Sequence, residues 1–576
     1  MSAFYDQASL VVVPSGYKSG KIYAQKPLTT DGQLTFTRAS NATRIGPDGL
    51  IEKVRTNLLR YSQDFGNAIW GSFTGGTASA PVVTINNATA PDGTVTADTI
   101  VFNTGAGTTS SDRSVIYQDI TISAGTYTSS LYARVTSGTG QLLFRGPNGS
   151  AYTTANLTTA WQRFDSVEIA LSGTSNIEIG LRRGLVNEPI NSSVTVEIWG
   201  AQMEVSDFGP TDYIATTTAA VSVGPVSGLP RLDYPTLGQS GSCPRLLLEP
   251  QRTNLVLYSE QFNNAWWVGA GSIVANTAIS PSGYQDADTG NNVYPSSGIG
   301  DSTTIHTASI FAKANPSGAS TLQLGMNRYA FGDFITCTFN LATGTAGAVT
   351  TGGTASSASA KIENYGNGWY RCSITGIAST SAGTLSFNPQ NNCYIWGAQV
   401  EAGAYATSYI PTLSTSVTRV IDRFTKLSIS SLINSQEGTL FVEMAALDSL
   451  MGTSILSLSD GSPNNNLYIG YTATTNQISS VFATGGVVQA VFNTTAFNVT
   501  QSNKIAVSYK ANDLKMYVNG TLVGSDTSAT MPAAGTLNEF SSDFGQGSFP
   551  LYANISQALI FPTALTATQL AELTTL

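Results

Sequence analysis

The sequence is poor in the residues that most enzymes use for catalysis. Its 576 residues include a single histidine, His306, and only 11% are charged. General acid–base catalysis needs titratable side chains whose pKa can be moved towards neutrality. His306 stands in a predicted strand, where a structural role is the simpler interpretation. We find no glycine-rich phosphate loop and no nucleophile elbow. We therefore expect a non-enzymatic protein without catalytic residues.

Basic clusters and long apolar runs are also missing. The formal net charge is −9, from 27 Lys and Arg against 36 Asp and Glu. Without a basic run, the chain is not expected to bind nucleic acid. No segment approaches the ~18–20 apolar residues of a membrane span, so we expect no membrane insertion. The N-terminus also lacks the apolar core of a signal peptide, so we expect no export by the ordinary secretory route.

Cysteine is scarce as well. The spacing of the four cysteines fits no zinc pattern, and we expect free thiols. They all lie in the middle of the chain: Cys243, Cys337, Cys372 and Cys393.

The abundant residues indicate β-structure. The chain has 56 glycines, many Ser, Thr and Asn residues, and enough aromatic and β-branched residues to argue against disorder. Apolar and polar residues alternate over short segments, with turn residues about every 8–12 positions, which is typical of sandwiches. We predict an all-β fold with almost no helix except near residues 566–573.

Two segments of the chain are copies of each other. RTNLLRYSQDF at residues 55–65 returns as RTNLVLYSEQF at 252–262, an offset of 252 − 55 = 197 residues. The same offset separates the two IWGAQ segments at 198–202 and 395–399. Two openings and two closings at one offset indicate a duplicated domain. We expect the copies, named repeat 1 and repeat 2, to share their strand order and to differ in their loops.

The repeats divide the chain into five parts. We predict an N-terminal anchoring segment followed by three antiparallel β-sandwiches (jelly rolls) in series. The segment has no expected core of its own. The predicted parts are residues 1–54 (docking segment), 55–223 (repeat 1), 224–251 (connector), 252–418 (repeat 2) and 419–576 (C-terminal sandwich).

Each repeat opens with an Arg and an Asn and closes with a Trp and a Glu. First and last strands of a sandwich commonly lie side by side. We therefore expect each Arg to lie near its own Glu, or each Asn to bond the closing backbone. Two copies of one Glu are also a poor pair for a glycosidase, which needs two carboxylates across one sugar. These framework residues are Arg55, Asn57, Trp199 and Glu204, and Arg252, Asn254, Trp396 and Glu401.

Tryptophans are the candidate ligand-binding residues. Sugar-binding sandwiches use an exposed aromatic ring as a flat platform for a sugar. Trp70 and Trp267 are candidates, although rings copied at a framework position are more often packed in a core. Trp266 has no Trp counterpart, since Ile69 stands in its place, and is the best candidate for a ligand-facing ring. No dense Asp cluster is present to which calcium could be assigned.

Two resemblances to known families follow from short motifs. TFTRAS at 35–40, PRLDY at 230–234 and LLEPQRTNL at 247–255 resemble a module of tail- and head-fibre proteins of tailed bacteriophages. In those relatives the elements follow each other closely, so we interpret repeat 1 as an inserted copy of the domain after it. YVNG at 517–520 and IFPTALT at 560–566 resemble the concanavalin A-like, laminin-G-type jelly roll.

The resemblances imply a non-enzymatic virion protein, a head or tail fibre or decoration protein. It would assemble in the host cytoplasm and be exposed on the particle surface. Its implied partners are other virion proteins, through residues 1–54, and host-surface or gut (mucosal) glycans. A homo-oligomer is expected, with a trimer favoured, although no coiled-coil heptad indicates it. We expect no cofactor, apart from the structural calcium that both fold types often carry. A bacterial cell-surface carbohydrate-binding adhesin is the alternative, and a polysaccharide-degrading enzyme has less support.

Overall fold

The computed structural model describes residues 2–14, 17–18, 21–147, 152–236, 243–269, 273–290, 292–328, 332–381, 383–544 and 547–576. The chain forms two compact units. One is Val54–Gly224, which holds repeat 1. The other joins Met1–Lys53 to Pro225–Leu576 and holds the remaining parts. Repeat 1 is thus inserted into the sequence of the larger unit.

Repeat 1 is a sandwich of two five-stranded antiparallel sheets. Apolar side chains of both sheets meet in one core, around residues such as Leu131, Phe144 and Ile179. A short antiparallel pair, Arg55–Asn57 with Val221–Val223, joins the two ends of the unit. In spatial order, the first sheet contains Gln162–Ala170, Gly125–Val135, Ser193–Val205, Ala97–Asn103 and Ser79–Ala88, and the second contains Thr153–Leu157, Gly140–Arg145, Gly173–Arg182, Arg113–Ile122 and Gly71–Gly75.

Repeat 2 is a sandwich of two six-stranded sheets. In spatial order, the first contains Val274–Ala278, Ala287–Gly290, Cys393–Ala402, His306–Lys313, Trp369–Ile377 and Ser356–Gly366. The second contains Ile299–Asp301, Thr384–Gln390, Thr321–Arg328, Phe334–Asn340 and Thr345–Ala346, with Thr350–Gly352 also paired to Phe334–Asn340. Two short pairs accompany them, Arg252–Asn254 with Val417–Arg419 and Trp267–Gly269 with Val293–Pro295.

The two repeats have the same strand order, as predicted from the duplication. Read along the chain, the strands of repeat 1 from Ser79–Ala88 to Ser193–Val205 have counterparts in repeat 2 with the same neighbours. The main difference is three added strands in repeat 2, all between Phe334–Asn340 and Trp369–Ile377. The outermost of them, Ser356–Gly366, extends the first sheet of repeat 2 by one strand.

The C-terminal sandwich has two larger sheets, built from distant parts of the chain. Its core includes Leu10, Ile22 and Leu34 together with residues such as Leu440 and Ile505. In spatial order, one sheet contains Arg231–Asp233, Arg245–Leu248, Ala553–Phe561, Glu437–Ala446, Asn503–Lys510, Leu514–Val518 and Thr521–Asp526, with Leu10–Val12 also paired to Ala553–Phe561. The other contains Tyr17–Lys18, Lys21–Tyr23, Gln33–Thr37, Arg423–Lys426, Glu539–Ser541, Ser454–Ser459, Asn466–Tyr471, Ile478–Thr484 and Val487–Thr494.

This arrangement differs from the prediction of a separate segment at residues 1–54. We expected these residues to be ordered chiefly by contact with another chain. Instead, Leu10–Val12 and Gln33–Thr37 are strands of the C-terminal sandwich, and their apolar side chains are buried in its core. The connector 224–251 likewise contributes Arg231–Asp233 and Arg245–Leu248. Backbone pairing across hundreds of residues supplies the core that the segment lacks by itself.

The remaining elements are short. Arg44–Ile45 and Ile51–Glu52 form a small hairpin. Helical structure is short and includes Ser2–Gln7, a 3-10 turn at Thr30–Gly32 and Ala567–Thr574. The last begins with a capping box, in which Thr566 and Gln569 each accept a hydrogen bond from the other's backbone N–H. The all-β prediction and the C-terminal helix are both confirmed.

Candidate functional site

Trp70 and Trp267 lie in the cores of their repeats. Both rings are buried, and each packs against a Phe at about 5 Å between ring centroids, Phe65 at 4.9 Å and Phe262 at 4.8 Å. Each indole N–H donates to a backbone carbonyl at 3.0 Å. The interpretation of these two residues as sugar platforms is therefore wrong, because neither ring presents a face to solvent.

Trp266 is partly buried and rests edge-on against Trp267. The two ring centroids are 5.0 Å apart with an interplanar angle of 85°. Part of the Trp266 ring remains accessible. Its role as a ligand-facing ring stays a prediction.

One buried Asn in each repeat joins the opening strand to the closing one. The Nδ2 of Asn57 donates to the carbonyls of Ala201 at 3.0 Å and Ile214 at 2.8 Å, and its Oδ1 accepts from the N–H of Met203 at 3.1 Å. Ala201 belongs to the closing IWGAQ segment, as the clamp hypothesis required. Asn254 makes the corresponding bonds at the same distances with Ala398, Ile410 and Val400.

The Arg–Glu half of the clamp is weaker. In repeat 2 the Nε of Arg252 lies 3.7 Å from Glu401, beyond hydrogen-bond range. In repeat 1 the ion pair of Arg55 is with Asp212, at 3.8 Å. In both repeats the neutral amide of the Asn joins the opening strand to the closing segment.

Glu204 and Glu401 instead hold the segment that follows each closing strand. Both carboxylates are buried and accept two hydrogen bonds from one Thr, Thr211 in repeat 1 and Thr407 in repeat 2, at 2.6 and 2.8 Å. They have the same structural task in two places, which agrees with the argument against a shared catalytic site.

Three charged residues of the fibre-like motifs, Arg38, Arg231 and Glu249, meet Arg419 and Asp422 in one buried ionic network. Arg38, Arg231 and Arg419 are almost fully buried, together with Glu249 and Asp422. Arg231 donates to Glu249 at 2.7 Å and forms a close ion pair with Asp422. Arg38 reaches Asp422 at 2.9 Å, and Arg419 reaches Glu249 at 2.9 Å. The network thus ties the N-terminal segment, the connector and the first residues of the C-terminal sandwich together.

Electrostatics keep this network ionised. Burial by itself disfavours the charged form of Glu249, but Arg419 and Arg231 outweigh it and hold the Glu249 pKa well below its ordinary value. Sequence reasoning noted these motifs only for their resemblance and did not predict that they meet. The available signal was a charged residue inside an apolar run, as where Glu249 follows three leucines.

Each repeat also carries an aromatic cluster outside its main core. In repeat 1 the cluster contains Trp199, which is buried, and the partly exposed rings of Tyr132, Trp161 and Tyr213. Trp161 stacks on the guanidinium of Arg134 at 4.8 Å. Trp199, a predicted framework residue, packs on Tyr213 at 4.4 Å.

The same cluster is buried in repeat 2. Its rings are Phe311, Trp369, Trp396 and Tyr409, all at most 2% exposed. The small hairpin of the N-terminal segment supplies the cover, because Ile45 and Ile51 pack on these rings. Trp396 therefore has the framework role that was predicted for it.

Next to this covered face, a cleft of about 670 Å³ opens between repeat 2 and the C-terminal sandwich. Its volume lies in the range typical of small-molecule sites. Repeat 2 contributes aromatic and basic side chains, among them Phe311, Tyr365 and Arg371. Three loops of the C-terminal sandwich contribute polar side chains, which are Asp448, Asn476, Asn498, Thr500 and Gln501.

The loop side chains of the cleft are held in place by local hydrogen bonds. Asn476 donates its N–H to the carbonyl of Ser449 at 2.8 Å, which links two of the loops. The Oδ1 of Asn498 accepts from Thr500 at 2.8 and 3.0 Å. These bonds position the amides without using all of their donors and acceptors.

Two further groups in the cleft are notable. Among the described residues, no hydrogen-bond donor reaches the buried Oδ1 of Asn554. Burial raises the pKa of Asp233 to about 6, although its carboxylate accepts the N–H of Ile45 at 2.8 Å. Buried polar atoms are normally satisfied, so the Oδ1 of Asn554 is an exception in the lining of the cleft.

A metal centre is not apparent in the described ranges. They contain no group of three or more His, Cys, Asp or Glu side chains placed to hold a metal ion. Structural calcium therefore stays a prediction. Neither helix in these ranges has the length and apolar character needed to cross a bilayer.

Comparison with known proteins gives one family match. Residues 430–571 match the Laminin_G_3 family, described as the concanavalin A-like lectin/glucanases superfamily. The match lies inside the C-terminal sandwich and supports the concanavalin A-like, laminin-G-type fold predicted there. No curated protein matches the sequence.

Several solved structures show weak similarity. A CBM40 domain of the Ruminococcus gnavus IT-sialidase, bound to α2,3-sialyllactose, is 17% identical, covers 26% of this chain and 91% of its own, and has a TM-score of 0.23. The CBM22 tandem of Paenibacillus barcinonensis Xyn10C is 12% identical and covers 64% and 100%, with a TM-score of 0.23. The NanB sialidase of Streptococcus pneumoniae is 20% identical with a TM-score of 0.21, and the chain spans only 26% of its length. Similarities this weak carry no inference about ligand or activity.

Proposed function

We propose that this chain is a glycan-binding protein and that the cleft between repeat 2 and the C-terminal sandwich is its saccharide site. The observation that carries the proposal is the lining of this cleft, which combines amides, hydroxyls and carboxylates with aromatic side chains. A saccharide offers many hydroxyls, each both donor and acceptor, together with apolar C–H faces. Such a ligand matches a lining with both kinds of group.

The contacts suggest how a saccharide is held. Asn498 and Gln501 are exposed at the rim, where their amides can bond hydroxyls in two directions. Deeper in the cleft, Asn554 offers its unpartnered Oδ1 to a hydroxyl donor. Tyr365 provides an aromatic surface. Recognition by hydroxyl bonding and ring contact needs no cofactor, and calcium would serve only to stabilise loops.

The wider role that we propose is a structural fibre or decoration protein on a bacteriophage virion. The supporting observation is the resemblance of TFTRAS, PRLDY and LLEPQRTNL to fibre modules, since each motif contributes one charged residue to the buried network of the larger unit. Docking to other virion proteins through residues 1–54 remains part of this proposal, now through the outer surface of strands that belong to the C-terminal sandwich. A bacterial adhesin is the alternative.

Glycan binding is tested with the full chain on a glycan array, followed by calorimetry with the best ligand. The variant Asn498→Ala/Gln501→Ala should weaken binding by about 10-fold or more, which corresponds to ~1.4 kcal/mol. The matched control is Asn493→Ala, an exposed amide of the same sandwich that does not line the cleft. Equal binding by all three proteins would reject the cleft as the site, and no binding to any glycan would reject the function.

The same samples decide between binding and hydrolysis. Asp233 is the one cleft carboxyl with a pKa raised towards that of a general acid. Release of reducing sugar that is lost in Asp233→Asn would identify a hydrolase and overturn the non-enzymatic proposal. We expect bound glycan to be recovered intact.

The virion role is tested separately. Proteomics of purified particles should detect the chain, and antibodies to the C-terminal sandwich should label intact particles. Its absence from particles that carry all other structural proteins would reject the virion proposal and leave glycan binding untouched.

A further inference from the structure

The two repeats differ at one edge of their matched sheets. In repeat 1, Gln162–Ala170 is the outermost strand of its five-stranded sheet and pairs on one side, with Gly125–Val135. In repeat 2 the matching strand, Trp369–Ile377, pairs on both sides, because Ser356–Gly366 lies antiparallel along its outer edge. In the described part of the chain, the edge in repeat 1 has no such strand.

Apolar side chains are exposed along this open edge. Val167 is 44% exposed and Ile169 is 72% exposed, on one face of the strand, and Leu171 just beyond it is 85% exposed. In repeat 2, Thr375 occupies the position that corresponds to Val167. Thr375 is only 7% exposed, and its strand is paired with the added strand. An apolar side chain thus stands exposed where the covered copy has a buried polar one.

Proteins usually protect a free strand edge with charges, proline or a bulge, since it can pair with another chain. This edge carries little protection. Asp165 is its one exposed charge. Arg163 is turned onto the protein, where it donates to the carbonyl of Thr211 at 2.6 Å and to Ser130 at 3.0 Å. Both the open backbone and the apolar face are therefore available.

We propose that this edge is a self-association surface, on which the Gln162–Ala170 strands of two copies of the chain pair antiparallel about a two-fold axis. A second copy fits this edge because a two-fold axis brings the same apolar residues of both chains together, as an isologous interface requires. Repeat 2 shows that a sheet of this design accepts an antiparallel strand at this position. The proposal does not depend on glycan binding.

Sedimentation equilibrium of the full chain over a range of concentrations provides the test. We expect a reversible dimer, and Val167→Lys/Ile169→Lys should raise its dissociation constant by about 100-fold or more. Both positions are exposed, so folding should be retained, and thermal unfolding checks it. The matched control is Val82→Lys/Ile85→Lys, at exposed apolar positions on Ser79–Ala88, the opposite edge of the same sheet. The control should dimerise like the natural chain.

Three results would overturn the proposal. These are a natural chain that stays monomeric at the highest concentration reached, a dimer or trimer that survives Val167→Lys/Ile169→Lys, and loss of association in both double variants. The last would indicate that opposite edges pair head to tail, a geometry that can close into the trimer expected of fibres.

Should the lysine variant fail to fold, a bismaleimide cross-linker applied to Val167→Cys in a Cys243→Ser background replaces it. Cross-linked dimers with Val167→Cys but not with Val82→Cys would support the proposal, and the reverse pattern would reject it.

Discussion

In repeat 2, Trp369 belongs to the buried cluster that also contains the hairpin residues Ile45 and Ile51, and it is 2% exposed, whereas its counterpart Trp161 in repeat 1 remains partly exposed. The ring occupies the same place in the same strand of the same sheet. This face of repeat 2 meets two further segments, the hairpin, which lies more than 300 residues before Trp369 in the sequence, and the added strand Ser356–Gly366, which pairs with Trp369–Ile377. A duplicated framework can thus keep its internal contacts while a distant part of the chain changes the use of one face.

The contacts that stayed the same are those inside the sandwich. Besides the Asn junctions, each copy has a buried Asp that accepts hydrogen bonds from two backbone N–H groups. Asp98 accepts from Phe65 and Asn86 at 2.7 and 2.8 Å. Asp288 accepts from Phe262 and Asn276, both at 2.9 Å. The buried ionic network, in contrast, lies in the larger unit. The copies therefore differ in the segments that pack on their outer faces and in their connections to the rest of the chain.

The largest expected effect is on the ionic network. Arg231→Ala leaves Glu249 and Asp422 without their central partner in a buried place, which should destabilise the larger unit by about 3–5 kcal/mol. Calorimetry should show a lower transition temperature for this unit and an unchanged transition for repeat 1. The control is Arg134→Ala, which removes a half-exposed ion pair in repeat 1 and should cost less than ~1 kcal/mol. Equal effects of the two variants would contradict the assignment.

The second prediction compares the paired tryptophans directly. Trp369→Ala removes a fully packed ring and should cost about 3–4 kcal/mol, whereas Trp161→Ala should cost about half as much. Denaturant unfolding monitored for each unit provides the values. If both substitutions cost the same, the hairpin contributes nothing to the burial of the face, and the comparison fails.

A third prediction concerns contacts that the copies share. Asn57→Ala and Asn254→Ala should each destabilise their own repeat by about 2–3 kcal/mol, because buried backbone groups lose their partners. The two losses should agree within ~1 kcal/mol, since the bond lengths are the same. Limited proteolysis locates the affected repeat. A loss confined to one copy would show that the matched geometry does not mean matched energetics.

The smallest effect is a pH dependence at the hairpin. Burial raises the pKa of Asp233 from 3.8 to about 6, so the folded state binds this proton more tightly than the unfolded chain. The resulting stability is fully present below about pH 4 and is lost as the pH rises through 6. Asp233→Asn should therefore gain stability relative to the natural chain between pH 4 and pH 7. A constant difference over this range would rule out the titration of Asp233 as its cause.

Periodicity and repeats were enough to predict the local part of this architecture. Alternating strands, the 197-residue offset and the Asn contact with the closing segment could be inferred because each lies in a short pattern or its copy. The concanavalin A-like C-terminal fold followed from the order of its motifs. What could not be inferred depends on pairing between distant residues. Nothing near Leu10 indicates that it pairs with Ile560, and nothing near Ile45 indicates that it joins the same buried cluster as Trp369.

The tryptophan prediction failed for a related reason. Sequence shows that Trp70 and Trp267 recur, but it does not show which face of the strand turns inward. The recurrence itself was the better guide, because copied positions are those that pack. The cleft was missed since its lining comes from loops of one sandwich and a face of another, and no single stretch of chain contains both.

Because Leu10–Val12 pairs with Ala553–Phe561, this early strand cannot pair until almost the whole chain has been synthesised. A ribosome that adds roughly 5–20 residues per second needs about half a minute to two minutes to make the second strand after the first. Both repeats have left the ribosome by then, and they can fold from neighbouring residues while the early strand waits. During that delay the cell must keep an apolar strand edge from pairing elsewhere, so yield should depend on chaperone supply and growth temperature more than the stability of the finished protein does.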